Sequence, residues 1–110
     1  MHEMSITQSM IDICLDHAAG RRVRTVTIEI GGLAGVVPEA VAFCFDACSD
    51  GTLLAGARLE IIRIEPAAVC QACGKEEQIP AYFSPCPHCG SHRLTFVRGE
   101  ELRVRELEVD

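Results

Sequence analysis

Tryptophan is absent, and Phe and Tyr together make up only 5% of the 110 residues. So few rings leave little for a large stacking surface. No apolar run approaches the ~20 residues that a membrane-spanning helix needs. Residues 1–20 carry neither the basic leader nor the long apolar stretch of a secretory signal. Together these absences predict a cytoplasmic protein with no membrane partner. Basic residues are outnumbered, with 10 Lys and Arg against 16 Asp and Glu, for a formal net charge of −6. An acidic chain repels phosphate backbones, which argues against nucleic acid as the main partner. Also missing are a nucleophile–base pair, a phosphate-binding loop and any open catalytic metal motif, and the four histidines are scattered. The chain is expected not to be an enzyme.

What the sequence has in excess is cysteine, with seven in all. The number is odd, and in a reducing compartment paired cysteines point to a metal before a disulfide. Four of them form two matched pairs. Cys70-Gln71-Ala72-Cys73 is followed by Gly74, and Cys86-Pro87-His88-Cys89 is followed by Gly90, with twelve residues between Cys73 and Cys86. Each C-x-x-C turn brings two sulfurs to one point, and two turns complete a tetrahedron of the kind zinc prefers. Glycine after each pair accepts the positive φ that turns backbone N–H groups back toward sulfur. Four protein ligands leave no position for a substrate, so the predicted site is structural. The alternatives are a dithiol redox module, or one of His88 and His92 replacing a thiolate. Cys14, Cys44 and Cys48 fall on apolar helical stripes and are expected to be buried thiols. A redox switch built on those three is the competing reading.

The rest of the chain reads as α+β. A first helix is expected from about Met4 to Ala19, with Ile6, Met10, Ile13 and His17 on one face and Ser5 and Gln8 as a capping box. A strand follows, with Val26, Ile28 and Ile30 alternating against Thr25, Thr27 and Glu29. Pro38 starts a second helix, whose stripe is Val41, Cys44, Phe45 and Cys48. Residues 57–65 read as a strand with a phase slip, from a bulge or from burial on both faces. Residues 101–109 read as a last strand with a similar slip. A lone strand needs a sheet to join, and the first half of the chain offers one. The predicted organisation is therefore a discontinuous domain (residues 1–66 and 98–110) with a zinc-binding module inserted at 67–97.

The chain opens Met1-His2-Glu3. A terminal amine, the amide of a histidine at position 2 and its imidazole Nδ1 can close fused chelate rings around one ion, and such planar nitrogen coordination suits Ni(II) or Cu(II). By itself that opening is a weak signal, since many chains begin the same way.

Taken in order, MHEMSITQSMI, IGGLAGVVPEAVAFCFD, CQACG and CPHCG closely resemble the HypA/HybF family of hydrogenase nickel-incorporation proteins, over nearly the whole chain. The resemblance implies a nickel metallochaperone with a small mixed-sheet α/β nickel domain and a zinc-ribbon-like domain. It implies that nickel, as cargo, is held by Met1, His2 and Glu3, and zinc by Cys70, Cys73, Cys86 and Cys89. It implies as partners a nickel-handling GTPase and the large subunit of nickel–iron hydrogenase. Some members also serve urease, which adds urease maturation proteins. Some relatives carry histidine directly after the second cysteine of a knuckle. Both places here are glycine, which lowers the expectation of cysteine–histidine exchange. The competing reading is a zinc-ribbon interaction or nucleic-acid-binding module without nickel. Lys75, Arg93 and Arg98 are met there by Glu76, Glu77 and Glu100, so no basic patch forms.

Overall fold

The computed structural model describes residues 3–110. Eight elements follow in order: α1 (Glu3–Ala18), β1 (Val23–Gly31), α2 (Pro38–Ser49), β2 (Arg58–Ile64), β3 (Ala67–Cys70), β4 (Glu76–Gln78), β5 (Leu94–Arg98) and β6 (Leu102–Val109). They build two sheets, β2-β1-β6 and β4-β3-β5. A compact chain of this length has a radius of gyration of about 13 Å. The observed 17.0 Å, with extents of 52 × 24 × 17 Å, reflects two sheets set end to end. Among the described residues no helix is long and apolar enough to cross a membrane.

Both helices cover one face of the first sheet. The inward side of α1 is Ile6, Thr7, Met10, Ile11, Cys14 and Ala18. These recur at i+3 and i+4 and form a stripe turned slightly from the expected one: Ile13 and His17 are exposed. Thr7 can be buried because its hydroxyl donates to the Glu3 carbonyl at 2.6 Å. The expected capping box does not form. The helix begins at Glu3, so Ser5 already lies inside its first turn, and the Gln8 amide reaches Asp12 at 3.1 Å instead. Ala19 and Gly20, both at positive φ, end the helix.

On β1, Val26, Ile28 and Ile30 face the helices, where Ile11, Val41, Phe45 and Leu54 join them in the core. The opposite face is polar but not open. Thr27 and Glu29 are buried, Glu29 under the guanidinium groups of Arg103 and Arg105. α2 returns the chain so that β2 pairs parallel to β1, in unbroken register from Thr25↔Arg58 to Gly31↔Ile64. The phase slip in β2 is thus burial on both faces: Leu59 and Ile61 pack on the core, while Ile62 and Ile64 are half-buried on the other side. β6 pairs antiparallel on the far side of β1, and its slip has the other cause. Thr27 pairs with Glu106 and Ile28 with Val104, so Arg105 is the extra residue of a bulge. Arg105 and Glu106 consequently both point to the outer face.

The second sheet is small. β3 pairs antiparallel with β4 and β5. Ala67, Ala68 and Ile79 are its buried apolar residues apart from cysteine. Tyr82 packs edge-on against Phe96, with ring centroids 5.0 Å apart. Two strand exits join the sheets, and the crossing is tight. The Gly31 N–H donates to the Glu101 carbonyl and the Leu33 N–H to the Gly99 carbonyl, each at 2.7 Å. Gly99, at φ 110°, lies against Pro66. The crossing segments at Pro66 and Gly99 are packed against each other and hydrogen-bonded.

Candidate metal centre

The two C-x-x-C segments fold into the same turn twice. In the first, the Cys70 N–H donates to the Lys75 carbonyl at 2.9 Å and the Gly74 N–H to the Cys70 carbonyl at 2.8 Å. In the second, the Cys86 N–H donates to the Ser91 carbonyl at 2.8 Å and the Gly90 N–H to the Cys86 carbonyl at 2.9 Å. Gly74 and Gly90 sit at φ 77° and 76°, the left-handed conformation that their position after each pair predicts. The first turn lies in the bend between β3 and β4, and the second precedes β5. Pairing of β3 with both strands brings the turns face to face.

All four Sγ atoms lie within 4.8 Å of one another. Cys70 and Cys89 are 3.6 Å apart and Cys73 and Cys86 3.8 Å. A tetrahedron with metal–sulfur distances of about 2.3 Å has edges of about 3.8 Å, so the sulfurs already outline a cation site. Cys70 and Cys86 are buried, whereas Cys73 and Cys89 are exposed. The backbone prepares the charge. The Cys73 N–H, with that of Ala72, pulls the Cys70 thiol down to about 6. The Cys89 and His88 N–H groups lower Cys86 likewise. At Cys89 the Ser91 N–H also favours the thiolate, but the neighbouring thiols and burial outweigh it, and that thiol is pushed up to about 11. The cluster thus shares protons that a bound cation would replace.

His88 does not enter this sulfur group. Its Nε2 meets Glu77 Oε1 at 2.7 Å, tying the second turn to β4. His92 is exposed, and its carbonyl accepts the Leu94 N–H at 3.0 Å. Neither supports replacement of a thiolate by histidine. Sequence reasoning does not find Glu77. Only the pairing of β4 with β3 carries it to His88.

The three remaining cysteines lie on the helices, Cys14 on α1 and Cys44 and Cys48 on α2; Cys14 and Cys44 are buried as expected, whereas Cys48 is only half-buried. Cys14 is buried, and burial pushes its thiol up to about 11. Cys48 is raised by burial and by neighbouring Cys44, and its Sγ lies 3.1 Å from the Met4 Sδ. A raised thiol is a poor nucleophile. Iodoacetamide at mildly alkaline pH is therefore expected to leave Cys14 unmodified in the folded, metal-loaded protein and to reach Cys48 slowly. It should reach Cys70, Cys73, Cys86 and Cys89 only after chelation, as read by peptide mass spectrometry. Rapid labelling of Cys14 or Cys48 would favour the redox-switch reading.

Of the residues that the resemblance assigns to nickel, Met1 and His2 lie outside the described residues. Glu3 is the first residue of α1, half-buried. N–H groups of a first helical turn have no carbonyl partner within the helix, so the Glu3 amide is not committed to it. Glu39, at the start of α2, is engaged with Arg63, which holds its carboxyl below the usual range.

Comparison with known proteins gives a consistent outcome. A family model described as HypA, hydrogenase/urease nickel incorporation, metallochaperone, matches residues 1–109. A protein of Geobacter metallireducens called hydrogenase maturation factor HypA is 58% identical over the full length of both chains. One of Crocosphaera subtropica with the same name is 44% identical over all of this chain and 96% of its own. The fold is similar to the solution structure of the Ni metallochaperone HypA from Helicobacter pylori, with a TM-score of 0.69 at 24% identity over 99% of this chain and 97% of that one.

Proposed function

This chain belongs to the HypA family of hydrogenase/urease nickel-incorporation metallochaperones, and we propose that it binds Ni(II) at its N-terminus and delivers it to nickel–iron hydrogenase during maturation. The ligands in this reading are the amine of Met1, the amide and imidazole Nδ1 of His2, and Glu3. The observation that carries the proposal is a division of labour. The four-cysteine group offers four thiolates and no open position, which suits a resident ion rather than a cargo. Among the described residues no second cluster of His, Cys, Asp and Glu accompanies it. The nitrogen-rich opening is the remaining candidate for cargo, and its chemistry suits Ni(II).

The resident ion in this proposal is zinc, held by Cys70, Cys73, Cys86 and Cys89. Its contribution is structural: it fixes the two turns and through them β3, β4 and β5. The chain then has two domains, residues 1–66 with 98–110 for nickel and residues 67–97 for zinc. The protein works in the cytoplasm, where thiols stay reduced. Its partners are a nickel-handling GTPase and the hydrogenase large subunit, and a urease maturation system is a further client. In this reading it acts as a carrier of the ion and not as an enzyme.

A carrier must also let go. The terminal chelate needs a deprotonated amine and amide, so its affinity falls as pH falls. The direct test is nickel titration of the untagged, zinc-loaded protein beside His2→Ala, by calorimetry and by absorption in the Ni(II) d–d region. One-to-one binding that weakens at lower pH and is lost in the variant, with zinc retained, is expected. Equal binding by both proteins, or none by either, would leave a zinc-stabilised interaction domain and remove the nickel assignment.

A further inference from the structure

β6 forms one edge of its sheet, so one row of its backbone N–H and C=O groups has no strand partner among the described residues. Exposed edges are commonly blunted by charge or by a bulge, and β6 has both. The order of its residues does something more. Outward from the step between Arg105 and Glu106, arginine mirrors glutamate. Val104 then mirrors Leu107, Arg103 mirrors Glu108, and Leu102 mirrors Val109. A strand with this order is complementary to an antiparallel copy of itself, with apolar residues opposite apolar ones and each arginine opposite a glutamate.

The bulge makes this register possible. In a regular strand, neighbours 105 and 106 would face opposite sides, and a two-fold axis between them would set each arginine opposite a residue on the wrong face. Here Arg105 and Glu106 both face outward, because Arg105 is the unpaired residue against β1. Both halves of the strand are therefore in phase with their mirror images. Slipping the pair by one residue would set Arg105 against Arg105 or Glu106 against Glu106, so the register is specific.

Two further observations favour the same occupant. Glu29 is one carboxylate shared by Arg103 and Arg105, which leaves positive charge at that half of the strand for the glutamates of a second copy. Ile13 on α1 is 46% exposed and lines a groove along this edge with Val104 and Leu107, and a second hollow beside it with Leu102. Pairing would bring the same groove of a second molecule beside it.

We propose that two copies of this chain associate through antiparallel β6–β6 pairing about a two-fold axis between Arg105 and Glu106, forming one six-stranded sheet. The contact is isologous, each copy giving and receiving the same surface. It is one strand wide, so the assembly depends on protein concentration.

The test is sedimentation equilibrium of the full-length, zinc-loaded protein. Its mass should rise with concentration from 12.0 kDa toward twice that value. Arg105→Glu sets glutamate opposite Glu106, and Glu106→Arg sets arginine opposite Arg105. Each variant alone is expected to lose the dimer, and an equimolar mixture of the two is expected to regain it. A wild-type protein that stays monomeric at every concentration overturns the proposal. So do variants that dimerise like wild type, or two folded variants whose mixture stays monomeric. If either variant fails to fold by circular dichroism, hydrogen exchange on the wild type decides. Amides of residues 102–109 should gain protection from dilute to concentrated solution, and unchanged protection overturns the pairing.

Discussion

Stripping the metal with a strong chelator is expected to unfold β3, β4 and β5 while the sheet β2-β1-β6 and both helices persist. The second sheet has strands of three to five residues. Apart from cysteine, its buried apolar side chains are two alanines and Ile79. A core that small does not offset the chain entropy of about thirty ordered residues at ~1–2 kcal/mol each for the backbone. Metal binding by zinc-finger peptides supplies about 10–16 kcal/mol, and no other interaction in this lobe approaches that. The first sheet differs: Ile11, Val26, Ile28, Ile30, Val41 and Leu54 are almost fully buried there without help from the cysteines. Amide resonances should report the split directly. Val69, Thr95 and Phe96 should collapse to random-coil positions, and Ile28 and Val41 should keep their dispersion. Cys86→Ser should reproduce the pattern without a chelator. A second sheet that stays dispersed with no metal bound would show that packing, rather than the ion, holds it.

Gly31→Ala is expected to destabilise the protein more than any other single methyl addition at its glycines that leaves φ ordinary. A Cβ at position 31 would lie 2.0 Å from the Gly99 carbonyl oxygen and 2.2 Å from its carbon. Those are backbone atoms and cannot rotate aside. They are also pinned, because Gly31 and Leu33 hydrogen-bond to Glu101 and Gly99 on the same crossing segment. Gly99 has no room to retreat either, since its own Cβ direction meets the Pro66 Cα at 2.5 Å. Overpacking commonly costs about 1–3 kcal/mol and more where nothing can yield. A loss of about 3 kcal/mol or more corresponds to roughly 10–20 °C in Tm for a chain of this size. Gly32→Ala is the control. Its Cβ would meet the Pro66 ring at 3.0 Å, a side chain that can shift slightly, so a smaller loss is expected. Equal melting of wild type and Gly31→Ala would mean that the crossing is loosely held and that the two lobes move independently.

Much of this protein could be read along the chain. The two cysteine pairs, with glycine after each, carry their own geometry, because a C-x-x-C turn is fixed by neighbouring residues. Pro38, the stripe of Val41, Cys44, Phe45 and Cys48, and the alternation of Val26, Ile28 and Ile30 are likewise local signals. The need for a sheet to receive 101–109 was also legible, since a lone strand leaves its backbone unpaired. Where several faces compete, local pattern was insufficient. Ile13 and His17 fit a helical period as well as Thr7 and Ile11 do. Which set turns inward depends on where β6 and α2 lie.

The opening Met1-His2-Glu3 remains a matter of sequence, because its first two residues lie outside the described structure. The residue order of β6 was also present from the start, but it had no meaning as a palindrome until the bulge set Arg105 and Glu106 on one face. The two similar-looking phase slips had different causes: β2 carries half-buried apolar residues on both sides, whereas β6 inserts a residue opposite β1. The sequence by itself determined the pairing of the four cysteines in two turns, both helices and the strands β1, β2 and β6, because those follow from patterns within a few residues. Only the tertiary structure decided the face of α1, the meaning of each slip and the contact of Gly31 with Gly99. Those depend on which distant backbones come to lie side by side, and excluded volume between such segments leaves no periodic mark in either one.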